Sequence, residues 1–230
     1  MNAKRGYVPD DEKNFSPSAL ETMRTASRHI SYLINEGYDL KQAATFVGNH
    51  YLLSERQRLA IMRSLATREQ LDRRKAKEKI AGSEVWIDGF NTIITLEVMF
   101  SDSILFAGMD GTIRDLAALR GTYRIISETR DAVRMLLDML KEMDVKSVHI
   151  LLDEPVSNSG RLKALIADAG EGYPFSLDIR IRKDVDKELY GKENVVTSDS
   201  IILDQCKSWI NVVARCLVRK GGNVIRVWQE

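Results

Sequence analysis

Apolar positions follow two different rhythms along the 230 residues. From Ser16 to Gly82 they recur three and four residues apart, which gathers them on one face of a helix. Ser16-Pro17 reads as an N-cap followed by proline at the first helical position, with Leu20, Met23, Ile30, Leu33 and Ile34 as the stripe behind it. Gly37 stops that helix. Asp39 caps a second, with Ala43, Ala44 and Val47, which ends at Gly48-Asn49. Ser54 caps a third, with Leu59, Ile61, Met62 and Leu65, and the pattern lets it run on through polar Arg68–Lys79 to Gly82 as a linker helix or a basic contact surface. Residues 1–16 are polar and without period, which predicts a loose arm.

Beyond Gly82 the rhythm changes. Short β-type runs at Glu84–Asp88, Lys146–Asp153, Phe175–Ile181, Asn194–Thr197 and Asn223–Trp228 alternate with helical patterns over Asp131–Glu142, Ser159–Ala169 and Ile201–Leu217. That alternation implies an α/β fold, a mostly parallel sheet flanked by helices. The chain divides into a small all-α domain, residues 1–82, and an α/β domain, residues 83–230.

Composition narrows the class. Hydrophobic content of 44% and charged content of 29% are ordinary for a soluble protein. No apolar run approaches the roughly 20 residues that span a bilayer, and no apolar stretch follows the basic start, so neither a membrane span nor a signal peptide is expected. Cys206 and Cys216 fall in one predicted helix, about 15 Å apart along its axis, too far to bridge. Unpaired cysteines point to the cytoplasm, and without a Cys-x-x-Cys pair a cysteine zinc site is excluded. Net charge is +1, divided into +5 over residues 1–82 and −4 over the remainder. A basic front beside an acidic rear fits a segment that grips nucleic acid next to a carboxylate-rich site.

Ligands of open α/β sheets bind beyond the carboxyl ends of the strands. Asp88, Asp153 and Asp199 lie there, and parallel neighbours would bring them together. Clustered like charges need an offset, and Mg²⁺ or Mn²⁺ with its taste for oxygen ligands is the simplest one. The loop with Asp110, Arg114 and Asp115, and the segment Arg120-Gly121-Thr122-Tyr123-Arg124, offer arginine forks for phosphate. Ser157, Asn158, Ser159, Arg161 and Lys163 follow Asp153 and open a helix, where an anion would be bound. Met109-Asp110-Gly111-Thr112 resembles the haloacid-dehalogenase phosphatase signature, but Gly108 stands where the nucleophilic aspartate belongs, which rules out an aspartyl-phosphate. His29, His50 and His149 lack metal-ligand spacing, and His149 reads as packing. No Gly-x-Gly-x-x-Gly or Walker loop is present.

Ile87-Asp88-Gly89-Phe90-Asn91 resembles the opening motif of PIN-like nucleases of the NYN branch. Thr197-Ser198-Asp199-Ser200-Ile201 is similar to that branch's late Thr-Ser-Asp motif, and the strand ending at Asp153 to its middle acidic strand. The layout as a whole also resembles an uncharacterised, largely archaeal family that joins a small helical domain to this fold. The resemblance covers residues 83–230 and implies Mg²⁺- or Mn²⁺-dependent cleavage of RNA, with Asp88, Asp153 and Asp199 as metal ligands. Asn91 would orient Asp88 or touch the substrate. The further acid such domains use is sought in Asp110 or Asp115, with Asp204 as another candidate ligand. Two other readings stay open: a catalytically silent RNA-binding protein, and a hydrolase of smaller phosphate esters. In the helical front, Arg56, Arg58 and Arg63 are expected either to contact phosphates in helix-turn-helix style or to belong to a bundle docked on the α/β domain or on a second subunit, as in a homodimer.

Overall fold

The computed structural model describes residues 4–117 and 122–229. These form α1 (Asp11–Asn14), α2 (Pro17–Asn35), α3 (Leu40–His50), α4 (Glu55–Ser64), α5 (Arg68–Lys77), β1 (Glu78–Lys79), β2 (Glu84–Asp88), α6 (Gly89–Phe100), β3 (Leu105–Ala107), β4 (Ile113–Arg114), α7 (Thr129–Glu142), β5 (Ser147–Asp153), α8 (Ser159–Ala169), β6 (Ser176–Arg182), α9 (Val185–Leu189), β7 (Val195–Val196), α10 (Ser200–Gln205), β8 (Trp209–Ile210), α11 (Val212–Lys220) and β9 (Val224–Ile225). Ser16, Asp39, Ser54 and Thr67 each accept a hydrogen bond from the amide three residues on, so each opens a helix.

Three expectations are corrected. The long third helix breaks at Leu65, because Thr67 and Gln70 form a new capping box. The arm is not loose: Arg5, Asp11 and Phe15 are buried. Arg5 Nε donates to Glu97 Oε2 at 2.9 Å, Arg56 clasps Asp11, and Phe15 meets Phe106 edge-on with centroids 5.1 Å apart. The helix expected over Ile201–Leu217 is two helices, α10 and α11, with β8 between them. Trp209 makes that break, since it is buried and its Nε1 donates to Arg74 O at 2.7 Å. Cys206 therefore caps the end of α10 while Cys216 lies within α11, both buried and free.

The main sheet has six strands in the order β1-β8-β7-β2-β5-β6, and every pair is parallel. From β2 the chain builds outward through β5 to β6, then returns to the far side of β2 with β7 and β8. The reversal leaves a crevice between β2 and β7 at their carboxyl ends. Val85, Ile87, Val148, Ile150 and Leu152 face one core with α6, α7, α8 and α11. Leu151 and Val195 face another with Val185, Leu189, Ile202 and Leu203.

β9 pairs with β3 in a separate sheet of three strands, β4-β3-β9, on which the first helices pack. Their core joins Met23, Ile30 and Ile61 to Phe106, Leu116 and Val227, so it crosses the boundary near residue 82. Among the described residues no helix is long and apolar enough to cross a membrane.

Candidate active site

Asp88 ends β2 and precedes α6, yet its side chain does not cap that helix. Thr197 Oγ1 donates to its Oδ2 at 2.8 Å instead. Residue 89 must be glycine for this arrangement, since a Cβ there would stand 2.6 Å from the Leu151 carbonyl oxygen. The close approach seats the start of α6 against β5, whose last residue is Asp153. Across the crevice, Asn91 Oδ1 accepts from Ser198 N at 2.8 Å and from Ser198 Oγ at 2.9 Å. The Asp-Gly-Phe-Asn and Thr-Ser-Asp segments are thus stitched together by hydrogen bonds. Asp199 caps α10 through Oδ1, which accepts from Ile201 N at 2.8 Å.

Electrostatics add a carboxylate that sequence reasoning missed, Asp186 of α9. Asp88 is only 5% exposed. Burial drives its carboxyl up to about 8 against the pull of Thr197, and Asp199, Asp153 and Asp186 add to the rise. Burial also raises Asp153, helped by Asp186 and Asp184, and raises Asp186, helped by Asp199 and Asp184. The available signal was Asp184-Val185-Asp186 just after a strand, with Asp184 as the cap of a short helix.

An all-carboxylate donor set suits a hard cation such as Mg²⁺ or Mn²⁺. Among the described residues, however, no three His, Cys, Asp or Glu side chains are grouped so as to hold an ion. The acids form an open cluster rather than a closed cage.

A family model described as "Domain of unknown function (DUF5616)" matches residues 77–215, which contain the whole acidic cluster. The chain belongs to the DUF5616 family. A second model, "Protein of unknown function (DUF434)", matches residues 22–77. The chain is 33% identical over 202 residues to "Uncharacterized protein MJ0935" of Methanocaldococcus jannaschii, a match covering 85% of this chain and 97% of that relative. No solved structure matches.

Within the DUF5616 segment, several expected site residues do other work. Asp110 accepts from Arg74 Nη1 at 2.7 Å and from Arg114 Nη2 and Thr112 Oγ1 at 2.6 Å each. Burial alone would raise its carboxyl, but Arg114, Thr112 and Arg74 together hold it below the ordinary range. Arg114 also donates through Nε to Ser198 O at 2.9 Å and to the Arg63 carbonyl, so it is a buried strut rather than a substrate contact. Asp204 accepts from Nε and Nη2 of Arg74 at 2.8 Å each, which takes it out of the metal set. Asp115 holds Thr95 Oγ1 and Ala117 N, both at 2.8 Å, beside α6. Ser157 Oγ accepts from Tyr123 N and donates to Tyr123 O, while Asn158 Nδ2 donates to the same carbonyl at 2.7 Å, so the expected anion loop clamps backbone instead. Arg124, Arg161 and Lys163 are exposed. Arg120 and Gly121 lie outside the described residues. His149 stacks on Trp86 with centroids 4.1 Å apart, in keeping with a packing role.

Proposed function

We propose that this DUF5616 protein is a divalent-cation-dependent phosphodiesterase acting on RNA, with Asp88, Asp153, Asp186 and Asp199 as its acidic centre. The observation that carries the reading is Asp88, buried beside the crevice where the sheet reverses direction, with its carboxyl raised to about 8 by burial and by the charges of Asp199, Asp153 and Asp186. Structural acids are normally paired with cations, as Asp110 and Asp204 are with Arg74. Among the described residues none of the four is paired with a cation: Asp88 accepts from the Thr197 hydroxyl and Asp199 from helix amides, which leaves the electrostatic situation a bound cation relieves.

Asp88, Asp153, Asp186 and Asp199 would hold Mg²⁺ or Mn²⁺. The ion, when bound, supplies charge for the phosphoryl oxygens and acidifies a water. Thr197 fixes one oxygen of Asp88, and Asn91 holds the Thr197-Ser198 segment in place, so the carboxylate is oriented before substrate arrives. RNA as substrate rests on the resemblance of the two motif segments and on the basic balance of residues 1–82. The reading places the protein in the cytoplasm, where Cys206 and Cys216 stay reduced. A homodimer is not needed to complete the centre.

The second reading, a silent RNA-binding protein, is favoured by the open spacing of the acids. Cleavage of labelled single-stranded RNA in Mn²⁺ decides between them. Asp88→Asn and Asp186→Asn should each reduce turnover at least 100-fold while circular dichroism is unchanged, on the scale expected for losing one group of a cooperating catalytic set. Metal-dependent turnover that survives in both variants sinks the nuclease reading. RNA retention at low salt without turnover in the wild type supports the binding module.

A further inference from the structure

The arginines of α4 are turned inward. Arg56 binds Asp11 and Gly6 O, Arg58 Nε donates to Leu53 O, and Arg63 donates to Asp115 O. Two other arginines of the helical front are not engaged. Arg28 on α2 and Arg68 at the start of α5 are exposed, and neither guanidinium makes a hydrogen bond or ion pair with a described residue. Both line a cleft of about 400 Å³ where α2, α5, the β3–β4 turn and the segment after β9 meet. That volume lies within the range of small-ligand sites, and a seam between two structural units is where such sites concentrate.

The walls are built rather than incidental. Asn35 Oδ1 accepts from Arg68 N at 2.9 Å while its Nδ2 donates to Ser31 O at 2.7 Å, which fixes the start of α5 against the end of α2. Trp228 is pinned by Nε1 donating to Ala107 O at 2.8 Å, and the Arg226 guanidinium lies over its ring 4.6 Å from the centroid. Tyr32, 67% exposed, forms another wall. Arginine forks bind phosphate bidentately, and aromatic rings present a face to a planar base. Glu36, which also lines the cleft and makes no ion pair with a described residue, can accept from an amino group or a ribose hydroxyl but repels a bare polyanion.

We propose that this cleft binds a nucleoside phosphate, with the phosphate on Arg28 and Arg68 and the base against Tyr32 and Trp228. A free nucleotide and a nucleotide unit within RNA present the same chemistry to it. The site shares no residue with the acidic centre and does not rest on the nuclease reading.

The test is calorimetric titration of the full-length protein with each of AMP, GMP, CMP and UMP, and separately with a short single-stranded RNA. The expected result is saturable binding of at least one probe, weakened about tenfold or more in the Arg28→Ala/Arg68→Ala double variant, as the loss of charge-assisted hydrogen bonds implies. Saturation by a mononucleotide assigns the free ligand; saturation by RNA alone assigns the unit within a chain. Binding of equal strength in the double variant overturns the proposal, as does failure of every probe to bind. Both arginines are exposed, so circular dichroism should show the fold retained. The cleft shares no residue with the acidic centre, so a failed cleavage assay leaves a positive mononucleotide titration standing.

Discussion

Asp88 makes folding depend on pH in the direction opposite to a salt-bridged acid. Its carboxyl moves from an ordinary value of 3.8 to about 8 on folding, so the folded protein binds a proton that the unfolded chain has released. Stability from this group is therefore fully present below about pH 4 and lost progressively as pH rises towards 8. Replacing the carboxyl by an amide removes the loss. Asp88→Asn should melt higher than the wild type at pH 8, by up to a few kcal/mol of stability, and nearly level with it at pH 4. Urea denaturation at the two pH values measures the difference, and a gap independent of pH would show that Asp88 is not held protonated by burial. Mg²⁺ at pH 8 should raise the melting temperature of the wild type and raise that of Asp88→Asn less, because a ligand that binds only the folded state stabilises in proportion to its affinity. Equal shifts in the two proteins would place the ion elsewhere.

Two of the junctions between elements turn on single residues. Gly89→Ala would drive a Cβ into the Leu151 carbonyl and push α6 off β5, costing about 1–3 kcal/mol and loosening Asp88 relative to Asp153. Chemical denaturation of this variant checks the prediction; an unchanged midpoint refutes the contact. Arg74 ties α5 to the β3–β4 turn through Asp110 and to α10 through Asp204, with a side chain only 2% exposed. Arg74→Met would leave Asp110 buried without that cation, and a loss of about 3–5 kcal/mol is expected in the same measurement. These ties explain what sequence could and could not show. β2 and α8 fall where their patterns put them, because apolar spacing and a strand-end aspartate are local signals. α6 left no stripe, since Phe90, Ile93, Leu96, Val98 and Met99 bury it on most sides. Asp110 and Asp204 looked like ligands because their partner Arg74 lies 36 and 130 positions away in the chain. Asp186 escaped notice because α9 has only five residues, too few to carry a period.

At the scale of the molecule, the helical front is not an independent unit. Its core needs Phe106, Leu116 and Val227 from the other side of the boundary, and Arg5 reaches Glu97 on α6. An isolated fragment of residues 1–82 should therefore show weak helicity and no cooperative melting by circular dichroism. A sharp melt with native helicity would prove the front self-sufficient. Ser27 Oγ donates to Val227 O at 2.8 Å across 200 positions of chain. On a ribosome, α2 emerges well before β9. The socket on α2 thus stays unfilled while the 200 positions between Ser27 and Val227 are made, open to chaperones, and it closes only when the segment after β9 arrives.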